Sequence, residues 1–510
     1  MSSGGHQNVP AEMKQRVVMF PFMAQGHIIP FLDLSKLIAA RSGFTITIVN
    51  TPLNIQSLQP KIKSARQANP ALDIRLAELP FSAPDHGLPP CCENTESLPP
   101  HLILTLLEAS EHLQPHFERL IHQICQEDGR PPLSIISDMF LGWTLDVADM
   151  FGIPRILFCT CGCYGTLLYF SLWTHLPHTK TDADEFVLPD MPQVSLHRSQ
   201  LAANFQQATG SDRWSLFQHR QVSRNMRSWG YICHTFEELE HDSLEHMRKS
   251  TGRPVWAVGP LLPSIFLSSS FQSCAANGSG LLLRGKESET DAVACLRWLD
   301  SHEPSSVLYV SFGTQNTISA SNMKELALGL ESSGQPFIWV VRPPLGVPLH
   351  SEFSPEFLPE GFEDRIKDKN QGLIVKKWAP QLLILSHSST GGFLSHCGWN
   401  STLESLSQGV PIIGWPLAGD QFFNSKLLEE KVGVCIELWR GKDGELTREK
   451  VERTVKTLMS EDRGRLLRKR AEEMRDAARK AVTAGEGLKG SSIHDIDETI
   501  AKLLACRAST

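Results

Sequence analysis

The 510-residue sequence has no surplus of basic residues: 49 Lys and Arg stand against 56 Asp and Glu, a net charge of −7. Nothing is therefore left over to neutralise a phosphate backbone, and a nucleic-acid partner is not expected. No apolar run reaches the ~18–20 residues of a membrane span. The first sixteen residues are polar and lack the apolar stretch of a secretory signal. The expectation is a cytoplasmic protein with no membrane span. The twelve cysteines never take the C-x-x-C spacing of a zinc knuckle; Cys159, Cys161 and Cys163 alternate instead, so reduced structural thiols are expected. Also missing is the G-x-G-x-x-G of a dinucleotide fold, since the first predicted strand runs into "MAQGHIIP". Gly280-x-x-x-x-Gly285-Lys286 imitates a phosphate loop, but Glu287 stands where a metal-binding Ser or Thr is required and no strand precedes it. Asn277-Gly-Ser279 fits a glycosylation pattern that a cytoplasmic chain never uses. The pairs Asp182/Asp184 and Asp495/Asp497 read as solvated charges rather than metal ligands.

What is present is a soluble globular composition, 41% apolar and 21% charged, in a chain too long for one core. Val17–Phe22 reads as a buried strand. Phe31, Leu34, Leu37 and Ile38 follow at helical spacing, with Pro30 near the helix start and Gly43 beyond its end, and Phe44–Val49 is a strand again. Such a βαβ unit implies a parallel sheet. It recurs in Leu133–Ser137, Trp143–Phe151 and Arg155–Cys159. The second half repeats the rhythm with strands at Val307–Phe312, Phe337–Val341, Gly372–Val375, Gly392–Leu394 and Val410–Gly414. Between the halves, Leu262–Thr290 is Ser/Gly-rich, without periodicity, and reads as a linker. The fold class is α/β, two doubly wound domains facing across a cleft, with ligands at the carboxyl ends of the strands.

One strand end is unusual. "SHCGWNSTLES" (Ser395–Ser405) enters a helix through His, Cys, Gly, Trp, Asn and Ser. Asn400 and Ser401 can cap the first-turn N–H groups, or donate to an anion drawn by the helix N-terminus. Extended outward, the stretch becomes "WAPQLLILSHSSTGGFLSHCGWNSTLESLSQGVPIIGWPLAGDQ", 44 residues from Trp378 to Gln421. This segment resembles the donor-binding signature of plant UDP-sugar glycosyltransferases, glycosyltransferase family 1. It does so in length and at Trp378–Gln381, His387, Gly392, His396–Ser401, Glu404, Gly409–Pro411, Trp415–Pro416 and Asp420–Gln421. "GHIIP", "ISDMFLGWTLDVA", "HTFEELE", "VGPLLP" and "YVSFGT" extend the resemblance over nearly the whole chain; the tail before Lys14 and the long linker depart from it.

The resemblance implies a GT-B fold of two Rossmann-like domains. The corresponding divisions are a flexible tail (1–13), an acceptor-binding domain (14–261), the linker (262–290), a UDP-sugar-binding domain (291–485) and a C-terminal segment (486–510). The helix of that segment, Ser492–Leu504, is expected to pack back on the first domain. It further implies UDP-glucose as co-substrate, a small-molecule acceptor, no metal and no resident cofactor; a monomer is the default. Trp378 would stack on uracil, with the backbone of Ala379 at its edge. Glu404 and Gln381 would hold the ribose. Asn400 and Ser401, with His396 beside them, would seat the diphosphate, with Thr314 on the opposite side and Gly398 allowing close backbone approach; Trp399 would be a further donor-binding residue. Asp420 and Gln421 would read the sugar, Gln at that position being usually associated with glucose, and Thr160 would lie near the 6-hydroxyl. Core packing is the expectation for Trp339 and Trp415.

A sugar transfer to an alcohol needs a base for the alcohol's proton, and an unperturbed His titrates near neutral pH. His27, after the first strand, matches the family's catalytic position, and Asp138 matches the carboxylate that orients it. Phe22, Phe140, Trp143, Tyr164 and Phe205 are candidates for an apolar acceptor pocket, with core packing an equal reading of each. UDP-galactose, UDP-xylose or UDP-rhamnose as donor, and a non-catalytic UDP-sugar-binding protein, remain as alternatives.

Overall fold

β1 (Arg16–Phe20) is buried on both faces. Val17 and Met19 pack with Phe31, Leu34 and Ile38 of helix α1 (Gln25–Ser42), while Val18 and Phe20 pack against Phe117 and Trp143 on the other side. A strand covered on both faces has no polar alternation, hence its continuous apolar run. The computed structural model describes residues 14–96, 98–268, 289–348, 351–376, 378–440, 445–485 and 487–508. The tail 1–13, the phosphate-loop imitation and Asn277-Gly-Ser279 lie outside the described residues.

The first sheet is parallel. Its strand order is β3 (Ile74–Glu78), β2 (Thr45–Asn50), β1, β4 (Ser134–Asp138), β5 (Arg155–Cys159), β8 (Gly230–Cys233), β9 (Val255–Ala257). β6 (Glu185–Leu188) and β7 (Met191–His197) form a separate antiparallel hairpin. The second sheet is also parallel, ordered β12 (Gly372–Val375), β11 (Phe337–Val340), β10 (Val307–Ser311), β13 (Thr390–Ser395), β14 (Ile412–Gly414), β15 (Cys435–Glu437). Strand order reverses between β1 and β4 in one sheet and between β10 and β13 in the other. Ligand crevices of doubly wound sheets open at such reversals, beyond the carboxyl ends.

The helices that matter to the cleft are α1, α2 (Thr144–Met150), α3 (Cys163–His175), α4 (Trp399–Gln408) and α5 (Gln421–Lys426). α6 (Ser491–Ala508) returns to the first sheet. Arg41 of α1 forks onto Asp497 with two 2.7 Å bonds, and Trp256 Nε1 donates to Glu498 at 2.8 Å. Asp495 accepts the Ala257 N–H at 2.7 Å, and burial pushes its carboxyl up to about 6. The Asp495/Asp497 pair is thus a docking device rather than a pair of solvated charges.

Two other sequence expectations need correction. α1 begins at Gln25, five residues before Pro30, so Pro30 lies inside the helix and His27 in its first turn. The linker is not structureless from Leu262: Ser264–Leu267 forms a helical turn whose Phe266 is buried against Leu382 and Leu383, and the next helix opens at Glu289. Trp339 and Trp415 are core residues, as expected.

Candidate active site

β13 ends at Ser395, and the chain must turn sharply to start α4 four residues later. Cys397 makes the turn with a left-handed backbone, φ 61°, which non-glycine residues seldom adopt. The residue at the helix N-cap, Gly398, has no side chain to cap the first turn. The first-turn N–H groups, those of Asn400 and Ser401 among them, therefore stay available at the positive end of the helix.

Gly398 also makes room for a neighbouring side chain. A Cβ there would lie 2.4 Å from His396 Nε2, and one on Gly313 would lie 2.8 Å from the same atom. The imidazole lies between two glycines. Burial, helped by the charge of Arg342, pushes His396 down to about 4. At neutral pH it is a neutral hydrogen-bonding group and not a cation.

Asn400 does not cap its own helix. Its Nδ2 donates 2.9 Å across the cleft to the carbonyl of Gly26. In an unbroken helix that carbonyl would accept from residue 30, but residue 30 is proline and has no N–H. Pro30 thus leaves free the acceptor that the second domain uses. Trp399, expected among the donor-binding residues, also bridges the two domains. Its indole crosses into the first domain, packs over Gly162, and donates from Nε1 to the His234 carbonyl at 2.6 Å.

Beside α4, Gln381 Nε2 donates to Ser401 Oγ at 2.9 Å and to Glu404 Oε2 at 2.7 Å, which brings these three signature residues together. Trp378 is half-buried next to the buried Ala379. Thr314 follows β10, and its carbonyl accepts from Arg342 Nη1 at 3.1 Å. Sequence reasoning missed Arg342; the signal was a cation directly after a strand, in "WVVR". Gln421 Oε1 accepts from the Leu417 and Ala418 N–H groups, both at 2.9 Å, which closes the loop ahead of α5 and leaves the amide NH₂ for a ligand. Asp420 accepts from Asn424 at 2.8 Å, yet burial holds its carboxyl above the usual range.

On the opposite wall, His27 Nδ1 lies 2.7 Å from Asp138 Oδ2. Asp138 is fully buried, and its other oxygen accepts from the Phe140 N–H at 3.1 Å. An acceptor-only carboxylate fixes the proton on Nδ1 and leaves Nε2 as the basic nitrogen. Burial works against a charged His27, but the charge and hydrogen bond of Asp138, with Asp420 across the cleft, prevail and raise its pKa above 6.5. Thr160 Oγ1 lies 3.1 Å from the same Nδ1.

Phe22 and Phe140 flank His27, with ring centroids 5.6 and 5.5 Å from it. From Phe140 an aromatic chain runs through Tyr169, unnoticed in the sequence, to Phe205, which meets Phe423 of the second domain at 6.1 Å. Trp143 is not part of this chain of rings: it packs edge-on against Phe20 and Phe117, on the core side. Tyr164 is 1% exposed, with Lys431 over its ring. Among the described residues, no group of three or more His, Cys, Asp or Glu is arranged to hold a metal ion, and no helix is long and apolar enough to cross a membrane.

Comparison with known proteins agrees with this geometry. Residues 14–263 match the family model "Glycosyltransferase, N-terminal domain", and residues 289–466 match "UDP-glucoronosyl and UDP-glucosyl transferase". The chain is 43% identical to UDP-glycosyltransferase 92A1 of Arabidopsis thaliana, over 95% of this chain and 96% of that one. It is 43% identical to crocetin glucosyltransferase 3 of Crocus sativus, over 88% and 92%. Among solved structures, a Medicago truncatula enzyme complexed with UDP-glucose superposes with a TM-score of 0.77 at 26% identity, covering 96% of this chain and 98% of that one. Two parallel Rossmann-like sheets, an uncapped helix start in the second and this similarity along both halves make the chain a GT-B UDP-glycosyltransferase of the plant family 1 enzymes.

Proposed function

We propose that the enzyme transfers glucose from UDP-glucose to a hydroxyl of a small, mostly apolar plant metabolite such as a flavonoid, phenolic, terpenoid or hormone, with inversion to a β-glycoside. The observation that carries this reading is the pair of His27, in the first turn of α1, and Asp138, at the end of β4, which faces Asp420 of the second domain. His27 Nε2 takes the acceptor's proton as its oxygen attacks the anomeric carbon. UDP leaves from the opposite face, its growing charge met by the first-turn N–H groups of α4 and by the Ser401 hydroxyl, with neutral His396 beside them. Trp378 and Ala379 hold the uracil, and Glu404 and Gln381 the ribose. Asp420 and the amide of Gln421 read the sugar, and Thr314 approaches the phosphates from its own loop. Phe22 and Phe140, on either side of the base, flank the acceptor, while Phe205, 0% exposed, packs in the core. The working unit is a cytoplasmic monomer.

Glucose as the sugar is supported by Gln421, by the glucosyltransferase of Crocus sativus and by the UDP-glucose complex of the Medicago truncatula enzyme. UDP-glucose is expected to give the highest kcat/KM among UDP-glucose, UDP-galactose, UDP-xylose and UDP-rhamnose when all are compared on one acceptor from a screen read by mass. A clear preference for another sugar sinks the Gln421 argument but not the mechanism. A chain that binds UDP and turns over no donor is the non-catalytic alternative.

Leaving-group stabilisation here rests on peptide N–H groups and neutral side chains, so activity is expected to survive excess chelator unchanged. A rate that collapses and returns on adding magnesium or manganese overturns that assignment.

A further inference from the structure

Arg155 opens β5 and is 1% exposed, yet no carboxylate lies within salt-bridge distance of it among the described residues. Its donors all go to neutral oxygens. Nε donates to Ser137 Oγ at 2.8 Å, Nη1 to Asn225 Oδ1 at 2.9 Å and Ser228 Oγ at 2.6 Å, and Nη2 to the Asp138 carbonyl at 3.0 Å. These partners are themselves tied to the turn after β4. Asn225 Nδ2 donates to the Met139 carbonyl at 2.6 Å, and Ser137 Oγ meets Thr144 Oγ1, which in turn reaches the Leu141 carbonyl at 2.6 Å. The carbonyls of residues 138, 139 and 141 are thereby pinned by one network centred on a buried guanidinium. That turn carries both the carboxylate that holds His27 and the Phe140 ring beside it.

A buried cation without a counter-ion is costly. The groups whose charge Arg155 feels are Tyr231, Asp138 and Cys159. Burial raises the pKa of Tyr231; Cys159 is raised by its hydrogen bond to Cys233 and by burial, so both are neutral at neutral pH. Asp138 is the one carboxyl group among the three. Around His27 the charged groups are Asp138 and Asp420.

We infer that Arg155 is a positioning residue of the base: it fixes the turn that presents Asp138 to His27 and places a buried positive charge behind that pair. The inference rests on the proposed role of His27. The sign follows from charge alone. Removing a nearby positive charge makes proton uptake by His27 easier, so the base loads its proton at higher pH.

The test is the pH dependence of kcat/KM with UDP-glucose and a responsive acceptor. Arg155→Gln is expected to move the acid limb upward by on the order of one pH unit, with UDP affinity by calorimetry unchanged because the donor lies in the other domain. Arg155→Lys keeps the charge and loses most of the hydrogen bonds, so its limb should stay at the wild-type position while kcat falls. A folded Arg155→Gln with the wild-type limb overturns the inference. A wild type with no acid limb, or an active His27→Ala, overturns the base assignment instead. If Arg155→Gln does not fold, unfolding midpoints decide: Arg155→Met combined with Asp138→Asn should cost clearly less than the two single changes added together, since the pair of buried charges leaves together. Full additivity overturns it.

Discussion

His27→Ala is expected to cut kcat by about 10²–10⁴ and to leave UDP binding nearly intact. The attacking oxygen of an alcohol is a poor nucleophile while protonated, and His27 Nε2 is the basic nitrogen that the Nδ1–Asp138 bond leaves exposed to the cleft. Asp138→Asn should also impair turnover, because it removes the carboxylate that selects the Nδ1–H tautomer and compensates the imidazolium. The double variant should be little worse than His27→Ala, since the two act as a unit. An acidic phenol, already partly ionised, should suffer less than an aliphatic alcohol. The pH profile adds an independent reading. The base works only when neutral, and its pKa is raised above 6.5, so kcat/KM should fall as pH drops through a limb above that value. Rates of the three variants, their pH profiles and UDP titrations check all of this. Near-wild-type turnover of an aliphatic alcohol by His27→Ala places the base elsewhere.

The fold was legible because parallel strands covered on both faces leave continuous apolar runs. Of the nine strands expected from the sequence, Arg155–Cys159 and Gly372–Val375 match to the residue and the other seven within two residues at either end, while β3, β8, β9, β15 and the β6–β7 hairpin were not among them. α1 was the exception. Pro30 reads as a helix start by its usual place in a first turn, and only the neighbouring domain, which takes the Gly26 carbonyl through Asn400, shows why a proline lies deeper. The partners of the donor signature were legible as chemistry but not as geometry. A glycine before a helix suggests close backbone approach; that Gly398 makes room for an imidazole depends on Gly313, 85 residues earlier in the chain. The charge state of His396 was not readable either, since it depends on burial and on Arg342 from another strand end. The aromatic residues of the first domain divide in a way no periodicity reveals. Phe22 and Phe140 reach the base, whereas Trp143, three residues after Phe140, closes the core beneath it.

Trp399→Ala should have the largest effect on stability of any change in the donor signature. The indole is 4% exposed and fills the space over Gly162, where an added Cβ would come within 2.8 Å of its ring. Its Nε1 satisfies the carbonyl of His234 at 2.6 Å. Truncation leaves a void between the domains and a buried acceptor without its partner, a loss of about 3–5 kcal/mol for a large aromatic side chain. Trp399→Phe keeps most of the volume and loses the hydrogen bond, so it should cost about 1–3 kcal/mol. The two domains need not unfold together, so denaturant midpoints followed by circular dichroism are the safer comparison. UDP affinity separates the two roles open to this residue. An indole that braces the domains predicts near-wild-type UDP affinity for Trp399→Phe, because the α4 N-terminus stays in place. An indole that contacts the donor predicts the reverse: an unfolding midpoint close to wild type and UDP binding weakened in both variants. That second outcome would make Trp399 a donor contact and show that its place between the domains adds little stability.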